Sequence, residues 1–461
     1  MEYEAPKNGL RTFLFVLVTQ GISVIGNTFA FFATTIWLTQ TLFPSAEQKP
    51  LLAMALSAVG LAFAVPAIVV APIAGAWVDR HDRRRTMMFM DLASAVIMLA
   101  MAWMMMAGTM DLWNLVAILA LSAVVGQFHA AGLDTSYAML VENKMLPRAN
   151  GMVATVFALS GIVAPGLAAA LIALPSLARQ GKVSLFTPYL SRLADGVPLA
   201  IIADAVTFFL AAAALSVVSI PSPKRADLDS AAGNPKKSMW VDVKEGAKYI
   251  VDRRPLLMLL LTFAVANFAL GPIGVFSPLI LKFKLAPDWG ARGMTFETSV
   301  ALVNTVRAAG GVAGGFIISA WGGLRTRRVY GVLFPLAAAG LAQVAFGLST
   351  SLYFTAVASA MSAAMIPLAN AHSQSIWQNQ TPREMQGRVF AVRRVIAQCT
   401  APVSTAMAGW AAAEMDPGFA MAILGGVAVV LSLAQVLNPA MTRVEDKEWL
   451  DNTASEKAAL L

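Results

Sequence analysis

Twelve apolar runs divide the chain, each near the ~20 residues that cross a hydrocarbon layer as a helix rising 1.5 Å per residue. They are Leu10–Leu38, Leu51–Val78, Met87–Ala107, Leu112–Tyr137, Met152–Leu174, Leu199–Val218, Leu256–Leu281, Val300–Trp321, Val329–Leu348, Leu352–Ser373, Val389–Ala413 and Phe419–Leu437. The stretches between them are polar and often dense in charge, which hydrocarbon excludes. Continuous apolar runs of this length predict spanning helices, because a helix satisfies every backbone polar group within itself. The expected fold class is an all-α membrane protein of twelve transmembrane helices, and the even number puts both termini on one side.

Charge then orients the array. Short loops rich in Lys and Arg stay cytoplasmic, and about 26 of the 34 basic residues share a side with Arg83, against about 7 in the opposite loops and Arg307 within a span. The expected location is the plasma or inner membrane, with cytoplasmic termini. The longest segment on that side, Ser219 to Pro255, carries Pro221, Pro223, Gly233 and Pro235 and then Asp242-Val-Lys244-Glu245-Gly-Ala-Lys248-Tyr249. It reads as a flexible connector followed by a short amphipathic helix at the inner face. The predicted organisation is a six-helix bundle over 1–218, a linker with that helix over 219–255, a second six-helix bundle over 256–440 and a tail over 441–461.

Composition removes several function classes. The 461 residues are 58% hydrophobic and 13% charged, with mean hydropathy +0.67, whereas soluble domains carry about 25% charge. The net charge of +8 is spread over short loops rather than one soluble face, which fits anionic lipid and not nucleic acid. A single cysteine, Cys399, excludes an intramolecular disulfide and argues against a thiolate metal site. The first apolar run is too long for a signal h-region, so no cleavable leader is expected. No Gly-x-x-x-x-Gly-Lys-[Ser/Thr] loop occurs, so the phosphate cradle of an ATP-driven pump is missing. The expectation is a monomer that is not an enzyme, without cofactor or metal, drawing on a proton gradient.

The most informative interruption is Gly75-Ala-Trp-Val-Asp79-Arg80-His81-Asp82-Arg83-Arg84-Arg85, between the second and third runs. An ordinary basic inner loop explains the arginines but neither the embedded Asp79 nor Gly75 one turn before it. The pattern Gly-x-x-x-Asp-Arg-x-x-Arg-Arg resembles the signature loop of the major facilitator superfamily of secondary transporters. Its form here, with Pro66 and Pro72 upstream, is similar to the branch of macrolide-efflux and siderophore-export proteins, which are drug:H+ antiporters. The resemblance implies two pseudo-symmetric six-helix bundles rocking about a central site. It implies that Asp79 accepts from free backbone N–H groups where the eleventh helix begins, near Gly387-Arg388. It also implies that Arg80 reaches an acid low on the fourth span, for which Asp134 is the candidate. With Gly75, Arg83 and Arg84 these residues form the expected conformational gate.

The halves echo each other weakly. Gly315 and Arg325-Thr-Arg327-Arg328 mirror Gly75 and the first basic loop, but Ser319 stands where the first half has Asp79. Asn150-Gly151 pairs with Gln386-Gly387 in the same way. The fifth span resembles the family's exporter pattern Gly-x-x-x-Gly-Pro-x-x-Gly-Gly in a worn form, Ser160, Ala164, Pro165, Ala168 and Ala169. Gly310, Gly311, Gly314 and Gly315 on the eighth span offer a narrow face for close packing between the halves, or for plain helix packing.

Polar residues at membrane depth supply the candidate chemistry. Gln20, Ser23 and Asn27 form one stripe on the first span, which faces a cavity or another helix rather than lipid. With Asn267, Asn304, Asn370 and Gln398 they are the substrate-cavity candidates. Many members of the branch it resembles carry Asp where this chain has Asn27. His129 and Asp134, on one span, are the first proton-coupling candidates. Arg307 and Asp204 are the other two: Arg307, seven residues into its span, needs an anion, either a carboxylate such as Asp204 or an acidic group on the substrate. Asp91 and His372 complete the buried polar set.

The expected function is export of an amphipathic small molecule, a drug-like compound or siderophore, by alternating access with proton antiport. An importer or facilitator of a metabolite, a lipid or lysolipid flippase, and a non-transporting receptor or scaffold are the alternatives.

Overall fold

The computed structural model describes residues 6, 8–142, 145–182, 187–220, 239–446 and 448–450, and among these all regular structure is helical. Of the linker expected over 219–255, residues 221–238 lie outside the described residues, as do residues 447 and 451–461 of the tail expected over 441–461. The helices are α1 (Gly9–Trp37), α2 (Lys49–Val69), α3 (Ala71–Val78), α4 (Arg83–Met106), α5 (Leu112–Leu140), α6 (Leu146–Arg179), α7 (Thr187–Leu190) and α8 (Val197–Val217). After them come α9 (Met239–Asp252), α10 (Arg254–Leu270), α11 (Ile273–Leu279), α12 (Ala286–Ala291), α13 (Phe296–Trp321), α14 (Tyr330–Leu348), α15 (Leu352–Gln380), α16 (Arg383–Glu414), α17 (Pro417–Val436) and α18 (Pro439–Thr442).

Helix ends fall where capping chemistry puts them. Asp82 accepts from the Arg85 N–H at 2.8 Å to start α4, Asp111 from the Asn114 N–H at 2.8 Å to start α5, and Asp416 from the Phe419 N–H at 2.7 Å to start α17. Each side chain satisfies one of the donors a helix leaves free at its first turn, worth about 1 kcal/mol.

Among the described residues, 11 helical segments are long and apolar enough to cross a membrane. The eleventh predicted span departs from the expectation of twelve. Its helix, α16, has 32 residues and so ample length, but Arg388, Arg393 and Arg394 in its first half lower its apolarity. Second and seventh spans are each two helices in line, α2 with α3 and α10 with α11.

The chain divides into two units, Met1–Asn234 with Thr295–Thr305, and Pro235–Met294 with Val306–Leu461. In the first, α1 packs on α6 and α8, α4 on α5 and α8, and α2 and α3 on α5. Phe13, Leu17, Met87, Leu133, Tyr137 and Leu215 share one buried cluster, with Phe13 and Tyr137 edge to face at 5.1 Å. In the second unit α14 packs on α15 and α17, and α10 on α16 and α17. Lipid tails are as apolar as leucine, so helices gain by backbone closeness rather than by escaping water. Gly340 and Gly425 provide it: a Cβ on either would stand 2.7 or 2.6 Å from the other's carbonyl oxygen. Gly310 and Gly314 serve the same purpose inside this unit, against Ala360 and Ala364 of α15, while Gly311 and Gly315 have nothing within 4 Å of a Cβ. The four glycines are therefore two pairs on different sides of α13, since neighbouring residues differ by about 100° around a helix.

Candidate functional site

In the first unit three helices converge on one carboxylate. Asp91 of α4 is fully buried; the Gln20 amide of α1 donates to its Oδ2 at 3.3 Å, and His129 Nε2 of α5 lies 3.1 Å from its Oδ1, close but without the alignment of a hydrogen bond. Gln20 Oε1 has no hydrogen-bond partner among the described residues. Asp91 is eight residues beyond Arg83 and His129 eight before Tyr137, so both sit about 12 Å along their spans. A lone ionised group there costs several kcal/mol. One proton shared by Asp91 and His129 leaves the pair neutral, whereas losing it leaves a buried anion and gaining a second leaves a buried cation. The side-chain exposure is 19% at His129 against 1% at Asp91, so the imidazole is the more accessible end of the pair.

Beside the expected candidates His129 and Asp134, this arrangement gives His129 a nearer neighbour in Asp91. Residues five apart on a helix point about 140° from each other, so Asp134 faces away from Asp91 while His129 faces it. Asp134 is exposed, and among the described residues it forms no ion pair with Arg80, which is exposed at the end of α3. Asp91, set among the membrane-depth polar groups but not among the coupling candidates, takes the central place.

Asp204, on α8, is also buried, and Thr207 donates to its main-chain oxygen at 2.7 Å and lies 3.4 Å from Oδ1. Gly26 of α1 makes room for it, since a Cβ there would come within 2.7 Å of Oδ1. Asp204 carries no ion pair among the described residues, and neither does Arg307. Of the first-span stripe, Gln20 and Ser23 are buried and Asn27 is exposed.

The basic loop of the first unit spends its charges locally. Asp82 caps α4, Arg83 contacts the Met139 sulfur, and Arg84 donates to Val218 O at 3.0 Å, capping the carboxyl end of α8 where the helix dipole favours a cation. Arg84 therefore acts as a cap, beyond the gate expected of it. The His81 ring stacks on Trp77 at 3.8 Å. Asp79 is exposed, and a Cβ on Gly75 would meet nothing within 4 Å.

In the second unit α16 begins at Arg383, earlier than expected, so Gly387-Arg388 lies past the first turn and its N–H groups belong to the helix. The polar string Arg383-Glu384-Met385-Gln386 reads as loop by hydropathy but is the helix's opening turn. Arg388 pairs with Glu245 of α9 at 2.5 Å, Tyr249 donates to Gln380 O at 2.6 Å, and a Cβ on Gly246 would reach Arg388 O at 2.7 Å, so α9 lies closely on α16. Arg393 donates to Gln374 and Ser373 at 2.7 and 3.2 Å, its guanidinium 5.4 Å from the Trp377 ring.

The seventh span breaks at Gly271-Pro272. Proline offers no N–H, which leaves the Phe268 carbonyl without its helical donor. The Ser404 hydroxyl of α16 supplies the bond at 2.7 Å, and Asn267 donates to Ala397 O at 3.4 Å beside it. Asn267 and Asn370 are exposed and Asn304 is half-buried, while the Gln398 side chain lies outside the described residues.

Comparisons with known proteins agree on the kind of molecule. The family model described as Major Facilitator Superfamily matches residues 16–403. The chain is similar to macrolide efflux protein A of Streptococcus pyogenes, 23% identical over 76% of this chain and 79% of that one. It is also similar to the multidrug efflux pump Tap of Mycolicibacterium fortuitum, 37% identical over 25% of this chain and 30% of the pump. Among solved structures, a bacterial homologue of the human lysosomal transporter Spinster, inward-facing and unoccupied, aligns with TM-score 0.62 at 15% identity, covering 98% of this chain and 96% of that one.

Proposed function

The chain belongs to the Major Facilitator Superfamily, and from that premise we propose that it exports an amphipathic small molecule, drug-like or siderophore-like, in antiport with protons by alternating access. The observation that carries the coupling is the Gln20–Asp91–His129 cluster, a proton-binding pair held within one unit at membrane depth. A proton taken up at His129 relieves the buried Asp91 charge, and hydration of the cluster from the other side draws it off. The likeness to macrolide efflux protein A supports outward movement, and the basic loops support cytoplasmic termini in the cell membrane. Asp79, exposed at the end of α3, is proposed as the latch of the inner side in that cycle.

Inside-out vesicles test the reading. A panel of dyes and antibiotics is offered with and without an imposed proton gradient. Accumulation that needs the gradient and collapses with a protonophore supports antiport. Gradient-independent equilibration, or flux only in the opposite direction, overturns it.

One observation favours a second reading, a lipid flippase. An apolar cavity of about 150 Å³ in the second unit is lined by Phe268, Phe276, Ser404, Met407 and Trp410, with Met407 and Trp410 at 50% and 64% exposure. A fluorescent lysolipid in the same vesicles separates the two.

A further inference from the structure

The second unit holds a polar cavity of about 300 Å³ where α13 ends and α14 begins, at the small end of the range for ligand pockets. Ser319, Gly322, Gly323, Arg325, Arg328 and His372 line it. The loop that forms it is built around one imidazole. His372 Nδ1 donates to Leu368 O at 2.7 Å and Nε2 accepts the Leu324 N–H at 2.8 Å, a tautomer inferred from these partners, so both ring nitrogens are engaged by main chain. A Cβ on Gly323 would stand 2.7 Å from His372 Nε2, and one on Gly331 would stand 2.6 Å from it. Gly322 and Gly323 have φ of 79° and 76°, and Arg327, not a glycine, has φ of 52°. A non-glycine residue in that region is uncommon, and here it belongs to a loop wound tightly round the imidazole.

The charges of this cavity are not balanced from within. The loop of the first unit mixes Asp79 and Asp82 with its arginines and spends Arg84 on a helix end. In the second unit Ser319 stands at the position corresponding to Asp79, and no acidic residue occurs between Glu297 and Glu384. Arg325 is exposed, Arg328 Nε donates only to Leu324 O at 3.3 Å, and neither forms an ion pair among the described residues. Two guanidinium groups at the mouth of a cavity, with no anion of their own, match an oxygen-rich anion, for which their planar donors are suited. Alongside, the last turns of α13 expose Phe316, Ile317 and Trp321, at 73%, 47% and 54%. That surface suits acyl chains, and Trp321 marks the interface with water.

We propose that this cavity binds the phosphodiester headgroup of an anionic membrane lipid, with the acyl chains lying along Phe316, Ile317 and Trp321. The site is independent of the direction of transport and of the Asp91 cluster.

Native mass spectrometry of the full-length protein, stripped of lipid in detergent, tests it. Phosphatidylglycerol and phosphatidylcholine are titrated separately, with inorganic phosphate as a soluble arm. The wild type is expected to retain one phosphatidylglycerol in preference to phosphatidylcholine. Arg325→Gln with Arg328→Gln lowers that affinity about tenfold or more, as loss of two cations near an anionic lipid does. Arg80→Gln with Arg85→Gln, an equal loss of charge in the other loop, leaves it unchanged. Arg325→Lys with Arg328→Lys keeps the charge and retains binding, and the exposed Arg325→Gln alone serves if the double glutamine variant does not fold. Equal retention of the two lipids, or equal losses in the two glutamine pairs, overturns the proposal. Saturable binding of inorganic phosphate lost in the same variant overturns the lipid source and assigns the site to a soluble anion.

Discussion

Asp91 and His129 face each other at 3.1 Å from adjacent helices, α4 and α5, with Gln20 of α1 against the second carboxylate oxygen. Both titratable groups belong to one unit, so the proposed coupling needs no group from elsewhere to bind its proton. Asp91→Asn keeps the shape and removes the charge. Gradient-driven accumulation in vesicles is expected to fall at least about tenfold, as removal of a positioned proton-transfer group does, while substrate exchange without a gradient persists. Equal loss of both activities refutes a coupling role.

Gly26 and Gly75 differ in what a methyl group would meet. At Gly26 the Cβ would crowd Asp204 and Thr207, whereas at Gly75 it meets nothing within 4 Å. Gly26→Ala is expected to cost about 1–3 kcal/mol through overpacking, and Gly75→Ala close to nothing. Thermal melts of the purified variants decide. A transport defect in Gly75→Ala with an unshifted melt then reports on the cycle rather than on folding.

The amphipathic helix α9 is held more by fit than by charge. Glu245 and Arg388 are about a third exposed, so their pair contributes under about 1 kcal/mol. Gly246 sits against the backbone of α16, with no room for a side chain. Hydrogen exchange over 244–252 is expected to change less than about fivefold in Glu245→Gln, because the pair is so exposed. Gly246→Val should speed it by about tenfold or more, since the helix must lift away from α16.

Outside the spans, Asp288 joins α12 to the first turn of α15. It accepts from Arg292 at 2.9 and 3.0 Å and from the Leu352 N–H at 2.8 Å. The Arg292 bonds first, and the Leu352 bond second, hold its carboxyl below the ordinary range. A carboxyl with a depressed folded value contributes its full stabilisation above the ordinary value of about 3.9 and loses it as pH falls through the folded value. Exchange at Leu352 is therefore expected to be insensitive to pH from neutrality to about 4, after allowing for intrinsic rates, and to accelerate below that. Asp288→Asn should show the faster exchange throughout.

The spans were legible because bilayer thickness and helix rise leave a long apolar run little alternative. What hydropathy conceals is register between helices. His129 and Asp91 are 38 positions apart in sequence, and only the packing of α4 on α5 brings them together; the signal was limited to two polar residues at similar depth. Hydropathy starts α16 late because Arg383, Glu384 and Gln386 are polar and helical at once. Arg84 resembles any other arginine of its loop until the end of α8 lies beside it.

The interruption at Gly271-Pro272 changes what the seventh span is mechanically. An unbroken helix of that length is a rod, and bending it tears main-chain bonds. Here the one bond that proline forbids has already been transferred to Ser404. The two pieces, Arg254–Leu270 and Ile273–Leu279, meet like forearm and upper arm at an elbow whose tendon is a hydroxyl from the neighbouring helix. Ser404→Ala cuts that tendon, and its mark would be a slack joint in an otherwise intact fold.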